Sequence, residues 1–250
     1  MTAARRGPLW FLERWALHAE VVAVEDVTPR MRHVVLAGAD LAGRAWTPGQ
    51  QVRVMFKDLT HPGSWLAVRD LPDAARTYSL WDYDGGAGRY ALRVLDHDED
   101  GPGARWARTV RVGDAAIVSW PEGSFHARLP SPYHLFAGEE TATVCFRALP
   151  AGEVVLGAVE ADTAAGHVAD LPRGDALVRV DREGASASPS APLLDAIRAL
   201  DLPETPGTAY LAGEAKTIQA IRRHLIDDRG WTRGDILTKP FWAPGKRGMD

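Results

Sequence analysis

Four short segments of this chain put residues with chemical potential where an element ends or begins. Arg76-Thr77-Tyr78-Ser79 closes a strand-like run. A Tyr ring offers a stacking face to a flat heterocycle, a Ser hydroxyl can hydrogen-bond a ring heteroatom, and an Arg balances phosphate or ring charge. His97 leads through the acidic run Asp98-Glu99-Asp100 into Gly101-Pro102-Gly103-Ala104-Arg105-Trp106-Ala107. Small residues at a helix start let exposed backbone N–H groups approach a pyrophosphate, and the helix dipole favours the anion there. Ala137-Gly138-Glu139-Glu140-Thr141-Ala142 and Leu211-Ala212-Gly213-Glu214-Ala215 are both strand–Gly–helix turns. In an open parallel sheet ligands collect at the carboxyl ends of strands, so two such turns can form the lip of one cleft. Each segment by itself is short, and neither turn carries a Gly-x-Gly-x-x-Gly fingerprint.

The elements that must position these segments change character along the chain. Up to about residue 130, short strands alternate with Gly and Pro turns: His18–Val27, Met31–Gly38, Gln50–Phe56, Arg76–Trp81, Gly88–Leu95 and Ala115–Trp120. Val52, Val54 and Phe56 alternate with Arg53, Met55 and Lys57, the period of a half-buried strand. Such a series predicts a barrel or a sandwich, with one helix from Gly103 to about Val110 begun by Pro102.

Beyond Pro130 strands and helices alternate. Tyr133–Ala137, Glu153–Val159, Ala176–Val180 and Thr208–Ala212 read as buried strands, and Glu140–Leu149, Pro192–Leu200 and Glu214–Arg229 as helices. This alternation predicts a parallel sheet covered by helices. Ile218, Ile221 and Leu225 form the apolar stripe of the last helix. The expected division is residues 1–129 and 130–250, the second ending in a tail.

Several chemistries are disfavoured. A formal net charge of -4 supplies no dominant basic face for nucleic acid. Cys145 is the single cysteine, so no intrachain disulfide and no cysteine metal cage can form, which fits a reducing compartment. The His residues show no metal-ligand spacing, and Ser119, Ser124 and Ser131 lack a Gly-x-Ser-x-Gly elbow. No signal-peptide core or membrane-crossing run is evident, so a cytoplasmic protein, without membrane insertion and monomeric, is expected.

Taken in order, the four segments and Phe241-Trp242 resemble the siderophore-interacting protein family over nearly the full chain. That family carries an Arg-x-Tyr-Thr/Ser motif, a His followed by Gly-Pro-x-x-x-Trp-Ala, an Ala-Gly-Asp-Glu-Thr-Ala turn, a Trp-x-Ala-Gly-Glu turn and a Tyr-Trp near its end. Here Ser79 takes the Thr/Ser place and Tyr210 the Trp place, Glu139 replaces the usual Asp, Thr143-Val144-Cys145 a Leu-Pro-Ala stretch and Phe241 the Tyr, and Trp81 stands where the family has a second Arg. The resemblance implies an antiparallel Greek-key β-barrel that binds FAD, followed by a Rossmann-like parallel α/β domain that binds NAD(P)H. It places Arg76, Thr77, Tyr78 and Ser79 at the flavin ring, and His97, Gly101, Pro102, Gly103, Ala104 and Trp106 near the ribityl-pyrophosphate. Gly138, Glu139, Glu140, Thr141, Ala142, Gly213 and Glu214 would line the nicotinamide cleft, with Trp242 beside the flavin. The implied activity is transfer of electrons from NAD(P)H through FAD to a ferric siderophore. Arg53, Lys57, Arg128, Lys239, Lys246 and Arg247 are the basic residues that an anionic chelate would meet. A flavin reductase serving another acceptor, and a flavin-fold binding protein with weak turnover, share the same motifs.

Overall fold

The computed structural model describes residues 16–56, 75–97, 101–149, 154–171 and 173–246. Strands β1 (Leu17–Thr28), β2 (Met31–Ala37), β3 (Gln51–Met55), β4 (Ala75–Asp84), β5 (Arg89–Leu95) and β6 (Ala115–Val118) close into a barrel in the order β1-β2-β5-β4-β3-β6. The return of β6 to lie between β3 and β1 is the Greek-key crossing. Alternation decides what fills the interior: Val52 and Val54 are buried while Arg53 between them is exposed. They join Val21, Val34, Leu36, Leu80 and Leu92 in one core. Helix α1 (Pro102–Thr109) joins β5 to β6 and turns Ala104 and Ala107 inward.

Strand β4 runs three residues beyond the expected end at Trp81. A bulge there, between Leu80 and Asp82, lets the strand bend and continue. Tyr83, past the bulge, donates to the Leu41 carbonyl at 2.6 Å and accepts from Arg44 N at 2.7 Å, which pins the extension.

The second half is a five-stranded sheet in the order β11-β10-β7-β8-β9, parallel throughout. Its strands are β7 (His134–Glu139), β8 (Val155–Ala161), β9 (Val178–Asp181), β10 (Thr208–Glu214) and β11 (Ile236–Trp242). Helices α2 (Ala142–Ala148), α3 (Ala191–Arg198) and α4 (Ala215–Asp227) lie between them. Central β7 and β10 are buried along their whole length, as near-continuous apolar strands should be. Ile218, Ile221 and Leu225 of α4 pack with Leu193 and Ile197 of α3 on one core, so the predicted stripe faces the sheet. Order reverses between β7 and β10, the topological switch point of a doubly wound sheet.

A further element departs from expectation. Residues Ile236–Trp242, expected as tail, form β11 and pair Gly213 with Pro240. The Pro disguised the strand; β11 is at the sheet edge, where positions whose N–H would face outward accept a Pro without loss of a ladder bond. Two compact units result. One holds Arg32–Trp46 and Gln51–Gly123; the other runs from Ser124 and also takes in Asp26–Met31 and Thr47–Gln50.

The carboxyl edge of the parallel sheet is tied by a buried guanidinium. Arg182, just beyond β9, donates to Glu140 at 3.1 and 3.2 Å and to Glu160 of β8 at 3.0 Å. Glu160 also accepts from Ser190 Oγ, the N-cap of α3, and Ser190 N donates to Thr217 of α4 at 2.9 Å. Burial pushes the Glu160 carboxyl up, against its bonds to Ser190 and Arg182. Removing one partner of such a buried pair leaves an uncompensated charge, at a cost of about 3–5 kcal/mol. Arg182→Met is therefore expected to lower unfolding free energy by that order in denaturant titrations. The orphaned carboxyls then gain a raised folded pKa, so the deficit should grow as pH rises above the usual carboxylate range and shrink as it falls.

Candidate functional site

Within the barrel unit, β4 and the start of α1 meet closely. Tyr78 pairs with Val52 and Arg76 with Val54 of β3, which sets both side chains on the face opposite Thr77 and Ser79. Tyr78 packs on Trp106 of α1 with ring centroids 5.8 Å apart, and Trp106 on Phe56 at 5.9 Å. Burial pushes the Tyr78 phenol up, with the Arg76 charge opposing, so it remains a protonated donor at neutral pH. A Cβ on Gly103 would lie 2.7 Å from the Tyr78 hydroxyl and 3.3 Å from Arg76 Cγ. The helix start thus comes as near to both side chains as a residue without a Cβ allows.

The N-terminus of α1 differs from those of α3 and α4. Gly101 is its cap, with no side-chain hydrogen bond, and its first turn holds no acid. Ser190 caps α3 and the Glu214 carboxylate caps α4. Among the described residues, a phosphate therefore finds uncapped N–H groups and no acid in the first turn of α1. His97 is exposed, its ring carbon 3.8 Å from the place of a Gly101 Cβ. Asp98, Glu99 and Asp100 lie outside the described residues. Arg76, Tyr78, Gly101, Pro102, Gly103, Ala104 and Trp106 are brought together, and the cradle fits the flavin pyrophosphate. Ser79 is buried on the other face. Trp81 is buried at the bulge with the Arg93 guanidinium 3.3 Å from its ring centroid, a cation–π contact. If this cradle holds FAD, Gly103→Ala should displace Tyr78 and weaken FAD about tenfold or more in equilibrium dialysis, with the apoprotein melting temperature changed far less.

In the second unit, the two strand–Gly–helix turns flank the switch point. Glu139, last in β7, accepts from Thr141 N at 2.8 Å, from Thr141 Oγ1 at 2.5 Å and from Trp242 Nε1 of β11 at 3.0 Å. Gly213, with φ of 116°, passes so near that an added Cβ would lie 2.6 Å from Glu139 Oε1. Glu139, Thr141, Gly213 and Trp242 thus form one cluster. Gly138 lets β10 and α2 close in, since its Cβ would meet Ala212 O at 2.3 Å and Ala142 Cβ at 2.4 Å.

The neighbouring carboxylates do other work. Glu140 is turned to Arg182, away from Glu139. Glu214 caps α4 through Oε2, accepting from Thr217 N at 2.8 Å, while its buried Oε1 has no hydrogen-bond partner. Such an oxygen suits a hydroxyl or amide N–H of a nucleotide. Arg182, Glu160 and Ser190 escaped sequence reasoning; the available signal was Glu160 within the otherwise apolar Val155–Ala161.

Of the basic candidates, Arg53 pairs with Glu122 at 3.2 Å, and Arg128 donates to the Gly234 carbonyl. Lys239 is half-buried in β11, and Lys246 is exposed. Lys57 and Arg247 lie outside the described residues. Among the described residues no helix is long and apolar enough to cross a membrane.

Burial, reinforced by the Glu140 charge, raises the Glu139 carboxyl to about 7 against its bonds from Thr141 and Trp242. Its folded value lies above the unfolded one, so its contribution favours the folded state at low pH and is lost as pH rises toward about 7. The Trp242 fluorescence, isolated by difference from Trp242→Phe, should titrate near pH 7, and Glu139→Gln should abolish that titration.

The chain is similar to known proteins in sequence and fold. Residues 20–125 match the family model described as the siderophore-interacting FAD-binding domain, and residues 131–245 match that of the siderophore-interacting protein. The ferric vibriobactin reductase ViuB of Vibrio cholerae is 24% identical over 245 residues, covering 91% of this chain and 89% of that protein. The mycobactin import ATP-binding/permease protein IrtA of Mycolicibacterium smegmatis is 25% identical over 259 residues, with 93% of this chain covered. The match spans only 27% of IrtA's length. A siderophore utilization protein from T. fusca has the same fold with a TM-score of 0.75 at 28% identity, covering 94% of this chain and 95% of that one. With both family models matched in order on a barrel and a doubly wound sheet, the chain belongs to the siderophore-interacting protein family and is an FAD-binding protein.

Proposed function

We propose that this protein is an NAD(P)H-dependent flavin reductase whose acceptor is a ferric siderophore. The coarser assignment, a siderophore-related flavin oxidoreductase, rests on the family match. The observation that carries the finer reading is that one chain combines an uncapped helix start under Tyr78 and Arg76 with a switch-point cluster of Glu139, Gly213 and Trp242.

FAD, when bound, takes up two electrons together and releases them singly, which couples a hydride donor to a one-electron metal acceptor. The protein's own residues bind and orient. Arg76 and the N–H groups of Gly103 and Ala104 would hold the pyrophosphate, and Tyr78 would pack on the cofactor while donating its hydroxyl proton. Glu139 fixes the Trp242 ring through the indole N–H. Glu214 Oε1 would accept from the dinucleotide. Reduction of Fe(III) to Fe(II) weakens its bonds to hard oxygen ligands, so a hexadentate chelate loosens after a single electron.

The test is anaerobic. The FAD-loaded protein should bleach with NADH or NADPH, and a stoichiometric ferric siderophore should restore the oxidised spectrum while a ferrous trap colours. Reduced flavin that ignores ferric chelates but reoxidises with another acceptor would overturn the siderophore assignment and leave the flavin reading standing.

A further inference from the structure

We infer that the adenosine end of the nicotinamide cleft selects NADH over NADPH, with Asp162 as the discriminating residue. The inference rests on the proposed nicotinamide site and deepens it. In a doubly wound sheet the dinucleotide crosses the switch point. Its adenosine ribose falls at the carboxyl end of the strand beside the first one, about twenty residues past the first turn. In this sheet the first strand is β7, its turn is Gly138-Glu139, and the strand beside it, away from β10, is β8. Asp162 is the residue that directly follows β8.

Its backbone is fixed and its carboxylate is accessible. Asp162 N donates to Glu140 Oε1 at 2.9 Å, and its carbonyl accepts from Glu183 N at 3.0 Å. The side chain is 42% exposed. A carboxylate held there can accept from both ribose hydroxyls, the arrangement that recognises an unphosphorylated ribose.

A 2′-phosphate is a phosphomonoester of about −2 charge at neutral pH and requires an unoccupied cation. Arg182 is already shared by Glu140 and Glu160, is 7% exposed in its side chain, and lies 3.9 Å from Asp162. Arg30, from the Asp26–Met31 segment of the same compact unit, has its guanidinium 3.7 Å from Asp162. Asp181, ending β9, faces His167 at 2.8 Å. Among the described residues, the two guanidiniums within 4 Å of Asp162 thus already face carboxylates, and a phosphate would have to displace Asp162 from them.

The experiment measures Kd for NAD+ and for NADP+ by calorimetry on the FAD-loaded protein, wild type and Asp162→Ser. NAD+ is expected to bind about tenfold more tightly or better, because NADP+ forgoes a charge-assisted hydrogen bond to Asp162 and meets its charge with a phosphate. Asp162→Ser should narrow that ratio by about tenfold, chiefly through tighter NADP+. Equal or tighter NADP+ binding by the wild type, or an unchanged ratio in a folded Asp162→Ser, overturns the selectivity and leaves the nicotinamide site intact. Failure of both nucleotides to bind at millimolar concentration overturns the nicotinamide site itself. The wild-type ratio stands as a test even if Asp162→Ser does not fold.

Discussion

Arg182 is the contact on which the carboxyl edge of the α/β unit depends. Parallel strands end together, and turns leaving β7, β8 and β9 must run side by side with their polar groups satisfied. One guanidinium bonds the residue after β7 and a residue of β8 from its own position after β9. Through Ser190 and Thr217 the same chain of bonds reaches Glu214 at the end of β10. The ends of four parallel strands are thereby held in one polar network.

That network also divides the labour of adjacent glutamates. Consecutive side chains at a strand end leave on opposite sides. Glu140 goes to Arg182 and becomes structural, which leaves Glu139 facing the switch point with Thr141 and Trp242. The Glu140 charge, held nearby, is one reason the Glu139 carboxyl titrates near neutrality. The two carboxylates thus act on each other through their charge while bonding different partners.

Helix N-termini are finished differently in the barrel's helix and in the two longer helices of the α/β unit. Among the described residues, the barrel's helix offers N–H groups with no side-chain cap and no acid in its first turn, surroundings that suit an anion. The two longer helices of the α/β unit are closed by Ser190 and Glu214.

Periodicity in the sequence determined most of the architecture. Val52 and Val54 against Arg53, and Ile218, Ile221 and Leu225 on one stripe, are local patterns that a strand and a helix impose whatever surrounds them. The Gly-Pro helix start and the two strand–Gly–helix turns were legible for the same reason, because a backbone that must bend or approach closely narrows the choice of residue. Tertiary structure decided the rest. The strand Ile236–Trp242 was hidden, since a Pro is acceptable only once the strand is known to be an edge. Trp81 needed the β4–β5 bulge to become a ring under Arg93. The roles of Glu139, Glu140 and Glu214 could not be told apart in sequence, where they are alike. Their difference is set by partners as far away along the chain as Trp242 for Glu139 and Arg182 for Glu140. Propensity is a property of neighbours in sequence, whereas the environment of a carboxylate is a property of neighbours in space.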